Sequence, residues 1–183
     1  MSVLEITGVY GVGKTTLIHH TIKKYNLENK VFYVRIPDYM KEETNLDNIE
    51  DLRKLDKNTR ALLRKKAQYH IYNDSRNIVL DEHLVIPLPN ELEILDSILF
   101  PEKIVAFCVI YAKPNIIYKR IKKDNKKNRK LSLEQISDLQ NKEIDTVIYL
   151  SKKYGKKLYC IENDYLEKAS GELYSIISNV FEI

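Results

Sequence analysis

The sequence predicts an α/β fold in which a parallel sheet is flanked by helices. Apolar segments with strand character alternate along the chain with segments of helical periodicity, which is the pattern of parallel strands joined by helical crossovers. Three of the five glycines fall within residues 8–13, between the first strand and the first helix, so the backbone there makes an unusual turn. With 183 residues, 44% of them hydrophobic, the chain is expected to form one domain, 1–183, with a sizeable core.

The predicted elements follow from the local pattern. Strands are expected at about 2–7, 31–36, 77–81, 104–111 and 157–162. A long helix is predicted from Leu133 to Tyr154, because apolar residues recur there at three- and four-residue steps and form a buried stripe. Helix starts are predicted where a capping side chain is followed three positions later by a Glu or Gln, at Asp47 with Glu50, Ser132 with Gln135 and Asp164 with Glu167.

Composition and charge indicate the cellular location to expect and the place where basic charge is concentrated. No apolar run approaches the roughly 18 residues needed to span a membrane, and the first residues lack the basic flank of a secretory signal. We therefore expect a cytoplasmic protein without a membrane partner.

Cys108 and Cys160 lie in apolar segments and are expected to be buried thiols. The net charge is +4, but residues 120–130 hold seven cations and one anion, so basic charge is concentrated there.

The string "GVYGVGKTT", residues 8–16, predicts a phosphate-binding loop. Gly8, Gly13, Lys14 and Thr15 match G-x-x-x-x-G-K-[ST] between a strand and a helix. Glycines let successive amides turn toward a phosphate, the lysine brings a cation to the β/γ oxygens, and the threonine hydroxyl can reach Mg²⁺ at the positive end of the helix dipole. The residues predicted to bind ATP are Gly8, Gly11, Val12, Gly13, Lys14, Thr15 and Thr16.

The string "NIVLDEH", residues 77–83, predicts a second part of the same site. Asp81 ends an apolar strand, where a carboxylate can hold Mg²⁺ beside Thr15. Glu82 and His83 follow into the same expected cleft, and His83 is interpreted as a hydrogen-bonding residue of its wall. The sequence therefore predicts a Mg²⁺ site at Thr15 and Asp81.

A nucleotide-binding loop is compatible with a GTP switch, an ATPase or a kinase, and a missing motif and the basic segment 120–130 help to separate these classes. A guanine-reading N-K-x-D is missing from the sequence, which argues against a GTP switch and leaves an ATPase or a kinase. Arg120 and Arg129, at either end of the segment, can close over a triphosphate and neutralise the transferred phosphoryl group. A solvated basic loop and a nucleic-acid contact are the alternatives. The segment has no aromatic residue, which disfavours single-stranded nucleic acid.

Several strings together resemble the archaeal-type adenylate kinases, a family of small P-loop nucleoside monophosphate kinases. The opening "ITGVYGVGKTTL" is similar to theirs, "PDYM" at 37–40 resembles their "GDxM", "DLRKL" at 51–55 resembles "DEMRKL", and "LDEH" at 80–83 resembles "IDTH". Arg120, Asp124 and Arg129 keep the spacing of their R-x-x-x-D-x-x-x-x-R lid, and "YCIENDYLEKASGEL" resembles their last strand, turn and helix.

This resemblance implies a fold, an activity and a set of catalytic residues. The fold is a P-loop NTPase three-layer sandwich with a five-stranded parallel sheet of order 2-3-1-4-5 and a short lid at about 120–131. Residues of about 37–75 form the segment that binds the monophosphate. The catalytic residues implied are Lys14, Arg53 on the acceptor phosphate, and Arg120 and Arg129 on the ATP phosphates. The reaction implied is Mg·ATP with AMP giving two ADP, and the usual assembly is a homotrimer.

Two departures leave the acceptor open. The loop after the third strand, "HLVIPLPNEL", is several residues shorter than in the family and contains no arginine, and Pro37 stands where the family has glycine. Arg35, Arg60 and Arg64 are the candidates to supply the missing cation. The alternatives to an adenylate kinase are a kinase for another monophosphate or phosphorylated metabolite, and a nucleotide-dependent RNA-binding module.

Overall fold

The computed structural model describes residues 2–44, 46, 48–88, 91–124 and 131–183, and it has seven strands and six α-helices in that part of the chain. The strands are β1 (Val3–Thr7), β2 (Phe32–Arg35), β3 (Ile78–Asp81), β4 (Val85–Pro87), β5 (Leu92–Ile94), β6 (Ile104–Tyr111) and β7 (Lys157–Glu162). The helices are α1 (Lys14–Lys24), α2 (Ile36–Glu42), α3 (Lys57–Tyr72), α4 (Pro114–Lys123), α5 (Leu133–Tyr154) and α6 (Leu166–Phe181), with short 3-10 helices at Ile49–Lys54 and Pro101–Lys103.

Five of the strands form one parallel sheet in the order β2-β3-β1-β6-β7. Strands β4 and β5 form a separate antiparallel hairpin, which the sequence did not predict. With these two left out, the sheet strands counted along the chain follow the expected order 2-3-1-4-5. The α/β class with a five-stranded parallel sheet is therefore confirmed.

Apolar side chains cover both faces of the sheet. Successive residues of β1 enter different core clusters, since Leu4 and Ile6 pack with α1 and α6 whereas Val3 packs with α2 and α3. Strand β6 alternates in the same way, with Cys108 on the first side and Phe107 on the second. Because both faces are buried, these strands are nearly continuous apolar runs, and this made them recognisable in the sequence.

The predicted helix starts have different outcomes. Ser132 accepts from the Gln135 amide and Gln135 caps in return, so the predicted capping box at α5 is confirmed. The prediction for Asp164 is wrong, because α6 begins at Leu166 and Asp164 instead accepts from the backbone amide of Lys113 at 2.9 Å. Asp47 lies outside the described residues.

Two expectations about burial and membranes can be compared with the structure. Cys108 is buried as predicted, but Cys160 is exposed because β7 is an edge strand of the sheet. None of the helices in the described ranges combines the length and apolar character needed to cross a membrane.

The carboxyl ends of the parallel strands lie at one edge of the sheet. Ile6, Asp81 and Arg35 are register partners across β1, β3 and β2, close to where the loop 8–13 leaves β1. Ligands of open α/β sheets bind at this edge. The residues that the sequence singled out on separate segments are therefore brought to one place.

Candidate active site

The loop 8–13 adopts a conformation that requires glycine. Gly8 and Gly13 have φ of 149° and 93°. A Cβ on Gly8 would lie 2.4 Å from the Ile110 carbonyl oxygen, and one on Gly13 would lie 2.8 Å from Asn163 Nδ2. Helix α1 begins directly after the loop, and no side chain caps its first turn. The backbone amides at such a helix N-terminus are the groups that phosphate sites commonly use.

Lys14 folds back onto this loop. Its Nζ lies 2.5 Å from the Gly8 carbonyl oxygen, 3.1 Å from His83 Nδ1 and 3.7 Å from Asp81 Oδ1, and the side chain is 4% exposed. His83 Nδ1 is also 2.7 Å from the Gly8 oxygen. These contacts join the loop to the end of β3, and they agree with the interpretation of His83 as a hydrogen-bonding wall residue.

Asp81 receives two hydroxyl groups on one oxygen. Thr15 Oγ1 donates to Asp81 Oδ2 at 2.8 Å, and the Tyr33 hydroxyl donates to the same oxygen at 3.0 Å. Burial and the neighbouring Asp81 charge raise the pKa of Tyr33, so its hydroxyl keeps the proton that it donates. A carboxylate beside a hydroxyl at a helix N-terminus is a set of hard oxygen donors, which fits Mg²⁺. Tyr33 had not been singled out in the sequence.

Arg120 is held against the loop. Its Nη1 donates to the Val12 carbonyl oxygen at 2.7 Å, and its Nη2 donates to the Asn163 carbonyl oxygen at 2.7 Å. Asn163 Nδ2 also donates to the Val12 oxygen, at 2.9 Å. Helix α4 and the turn after β7 are thus fastened to the loop through one carbonyl. Arg129 lies outside the described residues.

Most of the predicted residues line one or both of two adjoining cavities, whereas Gly8 and Val12 are not among the described lining residues. A cavity of about 510 Å³ lies over the loop and is lined by Gly11, Gly13, Lys14, Thr15, Thr16, Arg120 and Asn163, with Val9, Tyr10, His83, Asp124 and Leu166. A second cavity of about 250 Å³ has apolar walls and four arginines; it is lined by Pro37, Met40, Ile49, Leu52, Ile86 and Leu88, with Tyr10, Thr15, Arg35, Arg53, Arg60, Arg64, Asp81, His83 and Glu93. Both cavities are lined by Tyr10, Thr15 and His83.

The four arginines differ in what already binds them. Arg60 donates to Glu91 and Glu93 and to a backbone carbonyl, and Arg64 pairs with Glu82, so both are neutralised by carboxylates. Among the described residues Arg35 makes one ion pair, with Asp38 at 3.5 Å, and both of these side chains are partly exposed. Of the three arginines named as candidates for the missing cation, Arg35 is therefore the one least engaged with carboxylates in the described part of the chain.

Arg53 lies beside an aromatic pair at the junction of the cavities. Its guanidinium carbon is 4.7 Å from the centroid of the Tyr10 ring, which contacts the His83 ring at a centroid distance of 3.9 Å. A guanidinium over an aromatic face is attracted to the ring, and this contact helps to position Arg53 in the wall of the smaller cavity. Tyr10, in the variable part of the loop, carried no signal in the sequence beyond its place in the motif.

Helix α5 carries two buried polar side chains that were not predicted from the sequence, Gln140 and Glu143, and they bond backbone segments that follow strands of the sheet. Glu143 accepts from the Thr7 hydroxyl and from backbone amides, including that of Gly8, and Gln140 bonds both the amide and the carbonyl of Ala112 at 3.1 Å. The available signal was their position: they share the buried face of α5 with Ile136 and Val147 at helical spacing. A polar residue inside such a stripe indicates a buried hydrogen-bonding role.

Comparisons with known proteins identify the family. The family described as "AAA domain" matches residues 7–140. An adenylate kinase from Thermoplasma acidophilum is 30% identical over 138 residues, which cover 74% of this chain and 75% of that protein. The chain belongs to the adenylate kinase family of P-loop kinases. The resemblance noted in the sequence is thereby confirmed, and the protein is a phosphotransferase that uses a nucleotide.

Solved structures of other kinases share the fold of this chain. A shikimate kinase from Bacteroides thetaiotaomicron superposes with a TM-score of 0.63 at 14% identity, covering 97% of this chain and 98% of that one. A shikimate kinase from Acinetobacter baumannii, in complex with shikimate, gives 0.59 at 16% identity, covering 98% and 94%. These likenesses show the architecture, and the acceptor is a separate question.

Proposed function

We propose that the protein is a nucleoside monophosphate kinase that transfers the γ-phosphoryl group of Mg·ATP to AMP, giving two ADP. The observation that carries this proposal is the meeting of two cavities at Tyr10, Thr15 and His83, beside Lys14. One cavity lies over the phosphate loop, and the other combines apolar walls with arginines. A nucleotide base packs against apolar walls, and a phosphate is bound by arginines. The smaller cavity offers both and therefore suits a nucleotide acceptor.

On the donor side, the loop amides and Lys14 bind the ATP phosphates. Thr15 and Asp81 are the residues that would hold Mg²⁺, which when bound neutralises charge on the β- and γ-phosphate oxygens. Arg120, already fixed beside the loop, contacts the triphosphate from α4, and Arg129 does the same from the far end of the lid. In this proposal the lid is 120–131 and the acceptor-binding segment is 37–75.

Transfer to a phosphate asks for alignment and cations more than for a general base. The acceptor is already an anion, so it needs no deprotonation. Arg53 grips the acceptor phosphate, and Lys14 and Arg120 offset the charge that spreads over the transferred group. Closing the lid excludes water, which would otherwise accept the phosphoryl group.

The alternative acceptors are another nucleoside monophosphate and a phosphorylated metabolite. The specific observation in their favour is the short hairpin of β4 and β5, whose residues Ile86 and Leu88 line the acceptor cavity where the family has a longer loop. A shorter wall changes which base or sugar the cavity encloses. The phosphate-binding part of the proposal is common to all these acceptors.

A panel of acceptors tests the proposal. Purified protein is incubated with Mg·ATP and, separately, AMP, CMP, UMP, GMP or no acceptor, and the nucleotide products and free phosphate are measured. Rapid formation of ADP with AMP is the expected result. Preference for a different monophosphate would retain the kinase mechanism and change the acceptor. Hydrolysis alone, at the same rate with every acceptor, would refute the proposal and favour the nucleotide-dependent RNA-binding module.

The role of Arg53 has its own test with a neighbouring control. Arg53→Ala is expected to raise the KM for AMP or lower kcat by at least about 100-fold while changing ATP affinity less than about threefold, since a charge-assisted contact to phosphate is lost on one side only. Lys54→Ala is the control, because the Lys54 side chain is 78% exposed and pairs with Asp51 at 2.6 Å. Equal losses for both substrates in Arg53→Ala would contradict the assignment.

A further inference from the structure

Glu143 on α5 contacts the beginnings of the phosphate loop and of the hairpin of β4 and β5. Its side chain is fully buried. Oε1 accepts from the Thr7 hydroxyl, from the Gly8 amide at 3.1 Å and from the Leu84 amide at 2.9 Å, and Oε2 accepts from the Val85 amide at 2.8 Å. Gly8 opens the phosphate loop, and Leu84 and Val85 open the acceptor hairpin.

This arrangement ties two segments that are far apart in sequence to one group. Gly8 and Leu84 donate to the same oxygen, so their amide nitrogens lie within hydrogen-bond distance of a single atom. Both oxygens act as acceptors and every donor is at a buried contact, where hydrogen bonds to a carboxylate are strong and directional. The pairing of β1 with β3 and the contacts of Lys14 and His83 also join these segments, and the Glu143 carboxylate adds the contacts that hold the start of the hairpin against the start of the phosphate loop.

Helix α5 makes this carboxylate a rigid reference point. The helix packs on the sheet through Val147 and Leu150, which are completely buried. Glu143 is not among the described residues that line either cavity. It therefore acts on the reaction through the segments that it holds.

We propose that Glu143 is a positioning residue that aligns the donor and acceptor phosphates by fixing the phosphate loop relative to the acceptor hairpin. The inference rests on the proposed kinase function. Phosphoryl transfer depends on a near in-line approach of the acceptor oxygen, and displacements of about 1 Å lower its rate strongly. Loosening the Glu143 contacts shifts the hairpin wall, so the acceptor is misplaced while ATP still binds the loop.

Glu143→Gln is the main test, since it keeps the shape of the side chain. The amide has one accepting oxygen, and retaining it at the Oε1 position turns the amide nitrogen toward the Val85 amide, which repels it. We expect the KM for AMP to rise about tenfold and the KM for ATP to change less than about twofold. We also expect a larger share of consumed ATP to appear as free phosphate, because water competes with a misaligned acceptor.

Gln140→Leu is the matched control. Gln140 lies on the same buried face of α5 and is 9% exposed, but its described hydrogen bonds go to Ala112 and not to the phosphate loop or the hairpin. This variant is expected to lower the melting temperature while leaving the ratio of the two KM values and the product split unchanged. If Glu143→Gln merely loses stability and otherwise matches Gln140→Leu, the positioning role is refuted.

Thr7→Val provides a second variant that preserves shape in case Glu143→Gln does not fold. It removes one donor to Oε1 and leaves Glu143 in place. A smaller rise in the free-phosphate share than in Glu143→Gln is expected, and no change in that share would overturn the inference. Failure of the wild-type protein to phosphorylate any acceptor would refute the proposed function itself, which is a different outcome from normal transfer by Glu143→Gln.

Discussion

Arg60 fastens the acceptor hairpin to α3, and replacing it by methionine should loosen the acceptor cavity. The Arg60 side chain is 9% exposed. Its Nε donates to Glu93 at 3.2 Å, its Nη2 to Glu91 at 3.2 Å and its Nη1 to the Leu55 carbonyl oxygen at 2.5 Å. Arg60→Met keeps most of the aliphatic stem and removes all three donors.

The size of the effect follows from the exposure of the partners. Glu93 is 11% exposed, and breaking a buried ion pair on one side destabilises a protein by about 3–5 kcal/mol. Glu91 is 51% exposed, so its pair contributes at most about 1 kcal/mol. The hairpin lies at the surface and can turn Glu93 toward water, which reduces the total to roughly 2–3 kcal/mol.

Chemical and thermal denaturation measure the loss of stability, and acceptor kinetics measure the change in the acceptor cavity. A loss of roughly 2–3 kcal/mol in a chain of this size lowers Tm by about 4–12 °C. The KM for the acceptor should rise more than that for ATP, because Glu93 and Arg60 line the smaller cavity and not the cavity over the phosphate loop. The double variant Arg60→Met with Glu93→Met should recover most of the stability, since no unpaired carboxylate is left at position 93.

Lys66→Met is the control for Arg60→Met. Lys66 is on the same helix, is 52% exposed and pairs with Glu43 at 3.2 Å, so its loss should change the unfolding free energy by less than about 1 kcal/mol. If Arg60→Met and Lys66→Met have the same effect, the ion pairs of Arg60 do not hold the hairpin. If stability falls but both KM values rise equally, the hairpin does not shape the acceptor cavity.

Two further predictions concern the loop and a buried acid. Gly13→Ala should destabilise the protein by roughly 1–3 kcal/mol and weaken ATP binding, because its Cβ would enter the space of Asn163 at a φ of 93°; calorimetry with an ATP analogue measures this, and unchanged affinity would contradict it. Burial and the Glu143 charge raise the pKa of Glu5 from 4.5 to about 8, so the folded state retains a proton that the unfolded state releases, and stability should fall as pH rises between those values. Glu5→Gln should remove this pH dependence of the free energy of unfolding. If that free energy changes with pH in the same way in the wild type and in Glu5→Gln, the raised pKa of Glu5 is refuted.

The features that the sequence determined are local. The alternation of apolar strands and helices, the phosphate loop and the Ser132 cap each depend on residues within a few positions of one another, and the structure has them where they were predicted. The closeness of Asp81 to Thr15 was also predictable, because parallel strands end at the same edge of a sheet. Asp164 shows the limit of such patterns, since its side chain serves the neighbouring Lys113 amide instead of its own helix.

Tertiary structure decided which side chains meet across the site. The hairpin strands of three residues each form only because they pair with one another, and so short a segment gives little signal by itself. Arg60 looked like a candidate phosphate ligand until its partners on the hairpin were placed. Glu143 lies 135 residues from Gly8 in the chain and meets it only after α5 has packed on the sheet. Side-chain patterns extend over a few turns of helix, whereas contacts of this kind depend on the docking of whole elements, and this is why the composition of the site was predictable and its internal connections were not.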